Sequence, residues 1–160
     1  MKGRTITALF AAAMLAGIPQ AHAHDDGITA PTPEGGLSWD VLESSHAVEW
    51  HDAATQRTYL KPQFSAEAAA FDNRSVTVAG FMMPTEEGKA EQSRFILFQY
   101  QPDCLFHMAM GPTHFIDVRT SAPVRVTDGP LVLKGTLRLV KADRGGIFYR
   151  LDDTSLATGS

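Results

Sequence analysis

The sequence predicts a mostly β domain, a small partly open barrel of the OB type with one or two short helices, with a β-sandwich as the alternative. Two observations carry this. Five or six strand-like runs fall between residues 74 and 151 and are joined by short turns. The longest, Leu131 to Val140, has Gly135 at its centre, where a strand bends or bulges.

The first residues are read apart from the domain. Lys2 and Arg4 precede an apolar run from Ile6 to Ile18, and Ala21-His22-Ala23 follows, the charged, apolar, small-residue order of a secretory signal. The run is too short for the roughly twenty residues a membrane helix needs, and Pro19 ends it. Cleavage after Ala23 is predicted, with no Cys nearby to make a lipoprotein. A signal peptide over 1–23 implies a soluble periplasmic protein of 137 of the 160 residues. Residues 24–36, rich in Pro, Gly, Asp and Thr, read as a flexible lead-in with nothing to pack. Residues 37–156 form the single OB-like domain.

In that domain Ser38 suits an N-cap before Trp39-Asp-Val-Leu42, and Ser65 repeats the pattern before AEAAAF, with Asp72-Asn73 as the stop. Strand texture begins after Arg74, where Val76, Val78 and Gly80 alternate with Thr77, Ala79 and Phe81 until Pro84. The continuous apolar run Phe95 to Tyr100 implies burial on both faces. Further strands are His114 to Val118, Val124 to Val126, the Leu131 run, and Ile147 to Leu151 after the Gly145-Gly146 turn.

Loss of Lys2 and Arg4 takes the formal charge from −4 to −6, and no basic cluster remains, which argues against a nucleic-acid partner. The single cysteine, Cys104, has no partner for an internal disulfide in an oxidising compartment. It is a buried inert thiol, a link to another chain, or a thiolate held by a metal or a base.

The segment Gln101 to His114, QPDCLFHMAMGPTH, concentrates candidate ligands between two strands. Cys104 and His107 stand in C-x-x-H spacing, which brings a sulfur and an imidazole to one ion, and His114 returns at the next strand as a third donor. Met108 and Met110 add thioethers that suit copper(I) rather than zinc. The same residues also read as core filler and surface histidines, or as a thiol enzyme with Cys104 as nucleophile and His107 or His114 as base. Met82-Met83 reads as core closure or as extra soft donors. His46 and His51, in a polar stretch around Glu49, and His24, at the new amino terminus, are weaker ion-binding candidates.

Gly80-Phe-Met-Met-Pro84, Phe95 to Tyr100, and Pro102-Asp-Cys104 followed by a Gly-Pro turn and an apolar strand resemble the DUF3299 family of bacterial exported proteins. Trp39-Asp-Val-Leu42 and Pro62-Gln-Phe64 extend the resemblance over roughly residues 37 to 140. The resemblance implies a soluble periplasmic accessory, a metal carrier associated with ABC-type exporters. Leu105 and Phe106, then His107, replace the second Cys or His of many relatives, and Met-Ala-Met before Gly111 tilts the choice of ion toward copper. The leading expectation is a zinc- or copper-binding protein using Cys104, His107 and His114, with Met108, Met110 or Met83 as extras. Its rival is a metal-free adaptor that docks a transporter subunit.

Overall fold

The computed structural model describes residues 28–101 and 111–157. Both predicted helix starts are present. Ser38 is extended and its hydroxyl accepts from the Asp40 amide, opening α1 (Trp39–Glu43), and Ser65 accepts from the Ala68 amide at 2.9 Å, opening α2 (Ala66–Ala69). Neither helix outlasts about one turn, so packing rather than propensity holds them. α1 buries Trp39 and Leu42 in the core, and Trp39 Nε1 donates to the Ala79 carbonyl at 2.8 Å.

Between the helices the chain forms a hairpin, β1 (His46–Asp52) and β2 (Arg57–Gln63). The polar stretch around His46 and His51 is thus strand rather than loop. Every residue of β1 except Asp52 is exposed. An alternation with no buried face gives no period to detect, which is why the sequence concealed it.

β3 (Arg74–Pro84), β4 (Glu91–Phe98), β5 (Phe115–Arg125), β6 (Leu131–Leu139) and β7 (Tyr149–Leu156) form a barrel in the order β3-β4-β5-β7-β6, and β6 returns to β3. All neighbours are antiparallel except β5 and β7, which run parallel. This is the expected OB-like barrel, with its sheet closed on itself, and closure rules out the sandwich. β3 closes the ring by changing partner. Arg74 to Gly80 pair with Leu137 to Leu131, and Phe81 to Pro84 pair with Phe98 to Phe95. At the changeover a Cβ on Gly80 would lie 2.5 Å from Leu97 Cγ and 2.7 Å from the Phe98 carbonyl oxygen, so only glycine fits. Gly135 makes the predicted bulge, where the β6–β7 register shifts between Lys134 and Thr136.

The core gathers Phe95, Leu97, Ile116, Val118, Leu133 and Leu151 from inside the barrel, with Trp39 and Leu42 at one end. Full burial of each such side chain contributes about 1.5–3 kcal/mol. Within the lead-in, packing is present: Thr29 bridges Tyr100, the Ala30 amide donates to the Gln99 carbonyl, and Ala30 is buried against Ala79 and Phe81. The Pro-Gly-rich composition hid a strand-like addition to the end of β4. Among the described residues no helix is long and apolar enough to cross a membrane.

Candidate functional site

The first candidate lies where β4 ends and β5 begins. Phe98 opposite Phe115 is the last paired position, and Gln99 and His114 flank it. His114 is fixed by its amide, which donates to the Gly111 carbonyl at 3.1 Å. Its Nδ1 lies 3.1 Å from Oε1 of Glu43, on the last residue of α1. Both atoms are buried, and neither completes a hydrogen bond among the described residues. Oε1 of Gln99, a residue only 9% exposed, is also buried with no partner among the described residues. Three such atoms gather at this end of the barrel, where a buried polar atom left unmatched costs about 1–3 kcal/mol.

Of the predicted ligands, His114 is at this mouth, while Cys104, His107, Met108 and Met110 lie outside the described residues. Among the described residues no three His, Cys, Asp or Glu side chains gather as a metal-holding group. Met82 is buried in the core, as the packing reading had it, and Met83 pairs with Ile96 at the end of the β3–β4 ladder. His46 and His51 stand on exposed β1, and His24 lies outside the described residues. What His114 offers is a conditional donor set: with Nδ1 facing a carboxylate, its Nε2 has no hydrogen-bond partner among the described residues. That is how carboxylate-supported histidines present themselves to a metal.

A second constellation went unseen in the sequence. Asp117 on β5 is fully buried, and three guanidiniums converge on it. Arg94 Nε donates to Oδ1 at 2.7 Å, Arg150 Nε donates to Oδ2 at 3.0 Å, and Arg119 Nε lies 3.6 Å from Oδ2. The hydrogen bond to Asp117 and its charge raise the Arg94 pKa further above its ordinary value. These residues sit on three strands, 23 and 33 positions apart, so only the topology unites them. The available signal was a charge inside an apolar run, Asp117 between Ile116 and Val118.

The hairpin meets the β6–β7 loop in a pocket of about 220 Å³ lined by Trp50, Tyr59, Leu60, Lys61, Asp143 and Arg144, among others. Trp50 stacks on Tyr59 with centroids 5.8 Å apart, and the Lys61 ammonium sits 3.8 Å from the centre of the Trp50 ring. The cation already occupies that aromatic face.

No protein-family model matches the chain, and no curated protein matches it. Among solved structures, the chain is similar to a DUF3299 family protein from Pseudomonas aeruginosa PAO1, with 18% sequence identity and a TM-score of 0.38. The likeness covers 57% of this chain and 66% of that one, just under two thirds of its length. It is the family whose motifs the sequence resembles.

Proposed function

We propose that the chain is an exported periplasmic protein that binds one transition-metal ion, zinc or copper, at the β4–β5 end of its barrel. His114 coordinates through Nε2, with Glu43 orienting the ring through Nδ1. Cys104 and His107, carried by the segment between Gln101 and Gly111, supply the thiolate and the second imidazole. Met108 and Met110 are additional donors if the ion is copper(I).

The single observation behind this reading is the buried Glu43–His114 approach of 3.1 Å. A surface ion pair contributes little to stability, whereas a carboxylate behind an imidazole fixes the tautomer and sharpens the donor. A carrier role beside an ABC-type transport system rests on the family resemblance alone.

The test is metal titration of the mature protein, purified without a histidine tag and followed by elemental analysis. One equivalent is expected to bind tightly to the wild type, with binding abolished by Cys104→Ser or His114→Ala. Glu43→Gln is expected to weaken it roughly 10- to 100-fold. No binding at micromolar metal, or unchanged binding in His114→Ala, overturns the proposal. Sequencing of the exported protein is expected to begin at His24.

A further inference from the structure

We propose that the outer face of β4, β5 and β7 is a binding site for a phosphate-class oxyanion, held by Arg94, Arg119 and Arg150 over the buried Asp117. The argument starts from register. Arg94 stands directly opposite Arg119 on β4 and β5, and Arg150 stands directly opposite Arg138 on β7 and β6. Like charges placed opposite each other across a sheet are destabilising, and here two such pairs share one face of a chain whose overall charge is negative.

The described carboxylates answer this only in part. Asp117 takes hydrogen bonds from Arg94 and Arg150, Asp152 lies 3.6 Å from Arg138, and Asp143 on the β6–β7 loop acts on Arg94 at longer range. Among the described residues four guanidiniums face three carboxylates, and Arg119, 3.6 Å from Asp117, completes no hydrogen bond there.

The orientation of the forks then defines the ligand. All three arginines turn Nε toward Asp117, so the Nη groups of Arg94, Arg119 and Arg150 have no hydrogen-bond partner among the described residues. Arg94 and Arg119 are about half exposed, at 52% and 49%, so these donors reach solvent. Asp117 acts as the buried post that pre-orients them. Guanidinium forks match oxyanions through paired N–H donors, and three forks set around one point suit a tetrahedral anion with three free oxygens better than a planar carboxylate. In the OB fold the middle strands also carry ligand sites, so the placement suits the architecture.

The test is calorimetry at fixed ionic strength with inorganic phosphate, glycerol-3-phosphate and acetate as probes. Arg119→Gln is the informative variant, because that side chain is half exposed and not hydrogen-bonded to Asp117; its melting temperature is expected to match the wild type. Phosphate is expected to bind the wild type saturably and Arg119→Gln about tenfold more weakly, a loss of ~1.4 kcal/mol, with Arg119→Lys between the two. Tighter binding of the ester than of free phosphate identifies an ester ligand, and the reverse a free anion; either supports the site. Equal affinity for acetate, equal affinity in Arg119→Gln, or no saturable heat overturns it. Phosphate binding is expected to persist in Cys104→Ser, which separates this site from the metal proposal.

Discussion

Tyr149 is the residue through which the barrel holds its end cap. It is fully buried, and its hydroxyl donates to the Leu42 carbonyl at 2.7 Å while sharing a second 2.7 Å hydrogen bond with Ser45. The Ser45 hydroxyl in turn accepts from the Ser65 amide, so one phenol links β7 to the ends of both short helices. Tyr149→Phe removes that link and leaves the Leu42 carbonyl buried without it. A loss of about 1–3 kcal/mol is expected in urea unfolding. Burial raises the Tyr149 pKa, with the Ser45 hydrogen bond opposing it. The fold therefore favours the neutral phenol: this stability is complete below the ordinary value of 10.0 and is lost as pH rises through the higher folded value. The urea midpoint is expected to fall between about pH 9 and pH 11 in the wild type, and to fall less in Tyr149→Phe.

At the scale of elements, the sequence was most legible where one face is apolar. β3 and β6 stand where their periodicity put them, and both helix starts follow from a serine. β4 begins earlier than its apolar run because Gln92, fully buried, does not face solvent. Its carboxamide accepts from the Thr85 and Glu86 amides and donates to the Glu86 and Lys89 carbonyls, shaping the turn from β3. β5 runs unbroken through Thr120 to Pro123, which the sequence divided in two. Of the five leading ligands, Cys104, His107, Met108, Met110 and His114, only His114 lies within the described residues, and Glu43 behind it was invisible because α1 and β5 lie far apart in the chain. Among the described residues the hairpin has no third strand, and two strands alone are marginal in water. Its turn is held by Asp52, whose pKa is lowered mainly by a hydrogen bond to the Thr55 side chain, then by the Ala54 amide and Arg144, against burial, which raises it. That contribution is present above the ordinary value of 3.8 and disappears as pH falls through the lower folded value. Fluorescence from Trp50, obtained by difference from Trp50→Phe, is expected to report hairpin opening in acid before far-UV circular dichroism reports loss of the barrel. Simultaneous transitions would show that the hairpin does not open independently.

Over the whole molecule, the change of partner at Gly80 lets five strands close without a free edge. Gly80→Ala places a methyl against both Leu97 and the Phe98 backbone, and the backbone has little room to yield. A loss of about 1–3 kcal/mol is expected, read as a fall in melting temperature. The control is Gly129→Ala, where the nearest atom to the new methyl is Thr127 Oγ1 at 3.9 Å. A change within about 0.5 kcal/mol is expected there. If the two variants melt alike, the close approach at Gly80 is not what sets the closure.

The position of β7 has a consequence for how the molecule comes into being. β7 is inserted between β5 and β6, although it follows both in the sequence, so the ring stays incomplete until Tyr149–Leu156 has been made. Until then the β5–β7 and β6–β7 ladders are both absent, and the non-local pairings that close the ring form late. If the chain is exported as proposed, this late-arriving keystone keeps the nascent polypeptide loose during its passage through the translocation pore and locks it only on the far side.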